Sequence, residues 1–92
     1  MRFEWDDEKN TINIRQHGID FADASSMFDH MMLVEFDDRQ DYGEERWKGI
    51  GLLQNRVAVV VYVERYQNTI RIISARKANS YERKRYQEYV SN

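Results

Sequence analysis

The pattern of hydrophobic and polar positions in the second half of the chain predicts three consecutive β-strands. Residues 57–65 are apolar on both faces, which is typical of a central strand. Residues 46–53 and 69–78 flank this segment, and a Gln-Asn dipeptide lies in each connection. Asn tolerates the positive φ that two-residue hairpin turns require. We therefore predict an antiparallel meander with the 57–65 strand at its centre.

Local signals predict two helices near the N-terminus. Asp6 is a favourable N-cap for a helix over residues 7–17, and Gly18 follows where a left-handed residue commonly ends a helix. A second, shorter helix is predicted over residues 20–29, with apolar side chains at spacings of three and four. Residues 2–5 alternate between polar and apolar and predict a short first strand.

The remaining segments complete an α+β pattern. Residues 31–36 predict a strand, and residues 37–45 form the longest polar loop in the chain. A C-terminal helix is predicted over residues 80–90, because Asn79 and Glu82 have the spacing of a capping box. The order β-α-α-β-β-β-β-α predicts an α+β fold with two N-terminal helices, an antiparallel sheet meander and one C-terminal helix.

Composition narrows the class of protein. The 92 residues are enough for a single domain, predicted over 1–92, and they include no cysteine. No signal peptide or membrane-spanning run is visible, so a cytoplasmic location is expected. Residues 1–45 carry 4 Lys/Arg and 13 Asp/Glu, whereas residues 46–92 carry 10 and 3. This asymmetry indicates either a polar partner for the basic half or two halves that neutralise each other.

The last predicted strand ends in two cations, Arg76 and Lys77. Because Arg and Lys are rarely buried without a partner, the pair predicts either a protein carboxylate or a phosphate as its ligand. The helix that follows carries Arg83, Lys84 and Arg85. Together these five cations predict a phosphate-binding surface, and the alternative interpretation is an ordinary solvated helix face.

Two-residue turns also predict the cross-strand pairs of the meander. Lys48 is expected opposite Val61, which in turn lies opposite Ser74, and Val59 is expected opposite Arg76. These pairs place the Arg76 end of the sheet beside the C-terminal helix.

The opposite end of the sheet is predicted to carry a second charged cluster. Arg65 is expected opposite Ile70 and roughly 20 Å from Arg76, and Glu64 is expected opposite Arg71. The same end also holds Glu44, Glu45 and Arg46. This cluster favours a salt-bridge network over a functional site.

Four segments of the chain resemble the BrnT-type toxins of bacterial type II toxin–antitoxin systems. They are FEWDDEKNTINIRQHGIDFADASSMF, GEERW, VVVYVER and RIISARKA. The resemblance implies a RelE-like ribonuclease fold, cleavage of RNA, and inhibition of translation and growth. It also implies a ribbon-helix-helix antitoxin, BrnA-like, whose complex with the toxin binds promoter DNA. The family's characteristic positions correspond here to Lys9, Asn13, His17, Glu45, Arg46, Glu64, Arg65, Arg76, Lys77, Glu82 and Tyr86.

RNA cleavage without a metal needs a base for the 2′-OH proton, cations for the charge on phosphorus, and an acid for the leaving oxygen. The candidate catalytic residues are His17, Arg65, Arg76, Lys77 and Tyr86. The candidate RNA-binding residues are Lys9, Arg46, Arg83, Lys84 and Arg85. His17 is the candidate for proton transfer because histidine is the common acid or base of enzymes, although a role as a cation at a helix C-terminus is equally expected. We predict no metal and no cofactor, and the competing hypothesis is a non-catalytic module that binds nucleic acid or protein.

Overall fold

The computed structural model describes residues 1–91, and its helices and strands follow the predicted order. They are β1 (Arg2–Glu4), α1 (Asp7–His17), α2 (Phe21–Ala24), a 3₁₀ turn (Ser25–Asp29), β2 (Leu33–Phe36), β3 (Trp47–Leu53), β4 (Arg56–Arg65), β5 (Thr69–Lys77) and α3 (Ser80–Ser91). The predicted α+β class is confirmed.

The second helix is shorter than predicted and ends in a 3₁₀ turn. The hydroxyls of Ser25 and Ser26 donate to the carbonyls of Ala22 and Asp23 at 2.7 and 2.8 Å. Serine side chains compete in this way with the backbone hydrogen bonds of an α-helix. The α-helical part therefore covers only Phe21–Ala24.

The five strands form one sheet in the order β1-β5-β4-β3-β2. Strands β2 to β5 pair antiparallel in sequence order, so the predicted meander is confirmed. Strand β1 pairs parallel with the start of β5, with Arg2 opposite Thr69. The sheet is therefore mixed, a feature that the sequence pattern did not predict.

A β-bulge in β5 divides the pairing of β4 with β5 into two parts. The predicted pairs from Ala58 to Val61 are correct, and those from Tyr62 to Arg65 are not. Val61 lies opposite Ser74, as predicted, but Tyr62 lies opposite Ile72, which leaves Ile73 as the extra residue. Because adjacent residues of β4 project to opposite faces, the bulge puts Ile72 and Ser74 on opposite faces as well.

Between the bulge and the second turn, the predicted pairs are wrong by one residue, because this turn contains three residues, 66–68, and not the two that were predicted. Arg65 lies opposite Thr69 and not Ile70, and Glu64 lies opposite Ile70 and not Arg71. The predicted Glu64–Arg71 pair is replaced by a contact with β1, since Arg71 Nη1 donates to Glu4 Oε2 at 2.7 Å.

Helices cover both faces of the sheet. On one face α1, α2 and the 3₁₀ turn pack against the larger core cluster, which includes Phe21, Met27 and Ile72. On the other face α3 packs through Tyr86 against Ile50 and Val59. We call these the α1 face and the α3 face. Among the residues that the structure describes, no helix is long and apolar enough to cross a membrane.

Asn13 fastens α1 to the edge of β5. Strand β1 pairs only with residues 69–71 of β5, so the rest of this edge needs another partner. The Asn13 side chain supplies it: Oδ1 accepts from the Ala75 N–H at 3.1 Å, and Nδ2 donates to the Ala75 carbonyl at 2.9 Å. Nδ2 also donates to the carbonyl of Ile19 at 2.8 Å. Asn13 is buried and satisfies the backbone of the edge as a neighbouring strand does.

Candidate active site

Arg76 and Lys77 end β5 on opposite faces of the sheet. Arg76 lies opposite Val59, which belongs to the core under α3, whereas Lys77 lies opposite Ala58 in the core under α1 and α2. Directly opposed residues project to the same face. The structure therefore brings Arg76, but not Lys77, to the α3 face.

Glu82 in the first turn of α3 holds the Arg76 guanidinium. Nη1 and Nη2 of Arg76 donate to Oε1 and Oε2 of Glu82 at 2.8 and 2.9 Å. The backbone N–H of Asn79 also donates to Glu82 Oε1, and the Asn79 side chain accepts from the Glu82 N–H. The predicted capping box is thus present, and it holds the Glu82 carboxylate within hydrogen-bond distance of the Arg76 guanidinium.

The Glu82 carboxylate stays ionised. Hydrogen bonds from Arg76 hold its pKa well below the ordinary value, and they outweigh the opposing effect of burial. Lys48 adds to the effect, because its Nζ lies 2.8 Å from Glu82 Oε2. A carboxyl group with so low a pKa neither gives nor takes a proton near neutrality. Glu82 therefore positions cations and does not act as an acid or a base.

We expect Glu82→Gln to lower the free energy of unfolding at pH 7 by about 2–4 kcal/mol, because Arg76 and Lys48 lose their buried counterion. The folded-state pKa of Glu82 is depressed, so its ionised form stabilises the fold above pH about 4.5, and this stabilisation is lost as the pH falls further. Urea unfolding at pH 7 and pH 3 should show a smaller difference for the variant than for the wild-type chain. Glu64→Gln, at an exposed position, is the control, and an equal pH dependence in the Glu82 variant would contradict the prediction.

Arg76 retains one pair of donors for a ligand. Of its five N–H groups, two donate to Glu82 and one, on Nη1, donates to the Lys77 carbonyl. The other two are on Nε and Nη2, which form the side-on fork that grips carboxylates and phosphates in a bidentate manner. Within residues 1–91 this fork has no acceptor, and the Arg76 side chain is 33% exposed.

An ion-pair network that the sequence analysis did not predict extends from Glu82 across the α3 face. Lys48 bridges from Glu82 to Glu35, with its Nζ 3.7 Å from Glu35 Oε1. Arg85 completes the network by donating to both Glu35 oxygens at 3.0 and 2.8 Å. The sequence contained one indication of this network. Lys48 was predicted opposite Val61, and Val61 opposite Ser74, which places Lys48 on the same face of the sheet as Arg76.

Arg39 is a second cation that the sequence analysis missed. It lies in the 37–45 loop, where its Nε and Nη2 donate to the two oxygens of the buried Asp37 at 2.7 and 2.9 Å. Glu82 raises the pKa of Arg76 through its hydrogen bonds, and the charge of Arg39 has a smaller, opposite effect. The Arg39 side chain remains 63% exposed. Arg39 is therefore an exposed cation of the 37–45 loop that is paired with Asp37.

The basic run of α3 does not form one surface. Arg83 turns back to donate to the Ala78 carbonyl at 2.8 Å, and Arg85 reaches β2 through Glu35. Lys84 lies between them and lines a shallow depression with Gln87, Glu88 and Ser91. Successive helical residues diverge by about 100°, which explains the spread.

Lys9 and His17 line a narrow groove of ≈ 180 Å³ between α1 and β5. Both lie one turn from Asn13, and the groove is closed on the other side by Ile73 and Ser74. Ser74 and Arg76 project to the same face of β5 and are two residues apart. The groove therefore adjoins the row of β5 side chains that contains Arg76. Lys9, Asn13 and His17 recur at intervals of four residues and form a polar stripe of α1, which therefore lies at the sheet edge.

Tyr86 lies on the α3 face, one turn after Glu82. It is 7% exposed and packs with Ile50, Val59 and Ala78. Its ring therefore contributes to the core, and it does not line the groove that contains His17.

Arg46 and Arg65 lie at the far end of the sheet and share one carboxylate. Both contact Glu44, at 3.4 and 3.5 Å. Arg46 also stacks over the Tyr42 ring, with its Cζ 3.9 Å from the ring centroid. Part of the salt-bridge network predicted for that end is therefore present. Arg71 joins Glu4 instead, and within the described residues neither Glu45 nor Glu64 forms an ion pair.

The described residues contain no group of three or more His, Cys, Asp or Glu side chains arranged to hold a metal ion.

Comparison with known protein families identifies the family to which this chain is related. Residues 5–82 match the model of a family described as the ribonuclease toxin, BrnT, of type II toxin–antitoxin systems. The chain belongs to the BrnT toxin family. Membership implies an antitoxin as a partner. The match includes α1, the whole sheet from β2 to β5, and Glu82, but it ends before Tyr86.

The fold is also similar to that of a solved BrnT toxin. The chain superposes on the crystal structure of the Brucella abortus ribonuclease toxin, BrnT, with a TM-score of 0.65 and 25% sequence identity. The match covers 87% of this chain and 99% of that one. No curated protein sequence matches the chain. The shared α+β architecture is compatible with the RelE-like fold expected from the sequence.

Proposed function

We propose that this chain is an endoribonuclease toxin that cleaves RNA without a metal ion in the cytoplasm and thereby inhibits translation and growth. The observation that supports the proposal most strongly is the match of residues 5–82 to a ribonuclease toxin family. The geometry at Arg76 supplies what such a reaction needs first, which is a fixed cation with open donors for a phosphate.

The α3 face around Arg76 is the proposed phosphate site. Glu82 fixes the guanidinium plane, and the open Nε–Nη2 fork is free to contact two oxygens of one phosphate. Lys48 adds positive charge on the same face, because its Nζ lies 2.8 Å from Glu82 Oε2. Because these cations are held in place before RNA binds, they stabilise the extra negative charge of the transition state without reorganisation.

The proposed reaction is attack of the ribose 2′-oxygen on the adjacent phosphorus. The new 2′-O–P bond forms as the 5′-O–P bond breaks, which yields a cyclic phosphate and a free 5′-hydroxyl. A base takes the 2′-OH proton, and an acid returns a proton to the departing 5′-oxygen. We assign His17 to proton transfer, because it lines the groove that adjoins the Arg76 row.

The other candidate residues from the sequence analysis have weaker roles in this proposal. Lys9 contacts RNA beside His17. Lys77 and Lys84 are exposed and contact the RNA backbone away from the reacting phosphate. The remaining candidates, which are engaged in ion pairs, helix capping or core packing, support the site through the fold: Arg46, Arg65, Arg83, Arg85 and Tyr86.

We further propose that a BrnA-like antitoxin of ribbon-helix-helix type neutralises the chain. The toxin itself lacks a uniformly basic surface, because the cations of α3 spread in different directions. Binding to promoter DNA is therefore assigned to the antitoxin within the complex.

The test is to incubate purified protein with RNA in the presence of EDTA. We expect cleavage, with products that end in a cyclic phosphate, and we expect the protein encoded by the adjacent reading frame to stop it. Cleavage that requires added Mg²⁺ would contradict the metal-free mechanism. Binding of RNA without any cleavage, with an affinity that falls steeply with salt, would instead support a non-catalytic module.

A further inference from the structure

The two edges of the sheet are treated differently by the fold. At the β1–β5 edge, the chain shields the backbone with the Asn13 side chain and α1. At the other edge, β2 (Leu33–Phe36) is the terminal strand, and no described strand pairs with its outer side. Unpaired strand edges are templates for added strands, and proteins normally protect them.

The backbone of β2 presents open hydrogen-bonding groups at two positions. The Asp37 N–H donates to the Arg46 carbonyl at 2.8 Å, and bonded pairs alternate along an antiparallel ladder. The residues at 33 and 35 are therefore bonded to β3, whereas the N–H and C=O groups of Val34 and Phe36 point away from the sheet.

The side chains at these positions are apolar and exposed. Val34 is 44% exposed and Phe36 is 48% exposed, and Met31 just before the strand is 61% exposed. The one charged residue of β2, Glu35, is turned to the α3 face by Arg85 and Lys48. The edge therefore lacks the outward-facing Lys or Pro that usually blocks strand addition.

The chain that continues past Phe36 is acidic. It forms an open groove of ≈ 550 Å³ that Phe36 lines together with the 37–45 loop. Three of the carboxylates in this groove have no cation partner among the described residues, namely Asp38, Asp41 and Glu45. A segment that paired with β2 and continued along this groove would meet uncompensated negative charge.

We propose that the β2 edge is the docking site of the antitoxin, which adds an extended segment to the sheet as a sixth strand. This inference rests on the proposed function. The segment would carry apolar residues at alternate positions, opposite Val34 and Phe36, and Lys or Arg where it passes the acidic groove. Main-chain hydrogen bonds to β2 would supply affinity, and the charges would set its direction.

The charges also decide against other occupants. In a symmetric pairing of two copies through β2, the residues that reach the acidic groove are those that precede β2. They include Asp29 and no Lys or Arg, so like charges would meet. Nucleic acid is disfavoured for the same reason.

The test uses the protein encoded by the adjacent reading frame as the probe and measures its binding by calorimetry. Val34→Pro removes an N–H that does not bond to β3, a change that edge strands tolerate. Phe36→Lys places a cation beside the acidic groove. We expect each to weaken binding by at least about tenfold, whereas Ile14→Lys, at an α1 position that is 43% exposed, should leave it unchanged.

Amide hydrogen exchange gives a second readout on the wild-type complex. We expect new protection at Val34 and Phe36 when the probe binds. Unchanged affinity in both β2 variants, protection confined to α1 or α3, or no binding of the probe would each overturn the proposal. So would protection of β2 by RNA, or a concentration-dependent dimer that Phe36→Lys abolishes. Because the readout is binding, a failure here is distinct from a failure of free wild-type protein to cleave RNA.

Discussion

An Arg76→Ala variant is expected to cleave RNA about 10²- to 10³-fold more slowly than the wild-type chain, the loss that follows removal of one preorganised donor group from a transition state. The open Nε–Nη2 fork is the reason, since it is fixed by Glu82 and faces solvent on the α3 face. The measurement is the initial rate of cleavage of a defined RNA in EDTA.

A second substitution separates catalysis from stability. Arg76→Ala also removes a partner of the buried Glu82 carboxylate, which destabilises the fold by itself. Arg76→Lys keeps a positive charge near Glu82 but has no planar fork, so it loses the bidentate contact with phosphate. We expect Arg76→Lys to remain folded and still to lose about 10- to 100-fold in rate.

Arg56→Ala is the matched control for charge. Arg56 is an exposed cation at the start of β4 that projects with Ala58 to the face opposite Arg76, so its loss should change the rate by less than about twofold. A folded Arg76→Lys variant that cleaves RNA as fast as this control would remove Arg76 from the mechanism. Far-UV circular dichroism and the urea midpoint establish that each variant is folded.

Features decided by a few neighbouring residues were predicted correctly. The Asp6 side chain accepts from the Lys9 N–H, and Gly18 ends α1 with a φ of 70°. The Gln54-Asn55 turn contains two residues, both with positive φ, as predicted. In each case the sequence contains both partners of the interaction within four positions, so that local rules suffice.

The bulge at Ile73 could not be predicted from periodicity. Residues 72 and 73 are both isoleucine, so an alternating pattern does not show which of them is the extra residue. The second turn also has three residues and not two, so every pair between this turn and the bulge was displaced by one residue. This displacement led to the prediction that Arg71 pairs with Glu64. In the structure, Arg71 contacts Glu4 of the parallel strand β1.

The site itself was predicted only in part, because its contacts join distant segments. Glu82 was recognised as a capping residue, but its contact with Lys48 crosses from α3 to β3. Lys48 also contacts Glu35 of β2, a residue distant from both Lys48 and Glu82 in the sequence. The alternating pattern did place Lys48 and Arg76 on one face of the sheet. It did not show that Glu82 of α3 is the carboxylate that both cations contact.

The largest expected effect on stability comes from Asn13. Replacement by leucine, which is similar in size, removes the hydrogen bonds to Ala75 and Ile19 and leaves the Ala75 N–H and C=O buried without partners. The Ile19 carbonyl also loses its donor, and the three lost bonds amount to about 3–4 kcal/mol in the free energy of unfolding. Urea denaturation measures this, with Arg15→Leu on the exposed side of α1 as the control, expected within about 0.5 kcal/mol of the wild type.

An Asn13→Asp variant tests whether the amide donors, and not the volume of the side chain, stabilise the edge. A carboxylate still accepts from the Ala75 N–H, but its second oxygen faces the carbonyls of Ala75 and Ile19, so the folded state disfavours ionisation. The pKa of the introduced aspartate should therefore be raised, and relative to the wild type the variant should lose stability as the pH rises above about 4. The Leu variant has no such group, and its deficit should not change over the same range. Equal deficits for the two variants from pH 4 to 7 would show that hydrogen bonding by the Asn13 amide is not what holds α1 to β5.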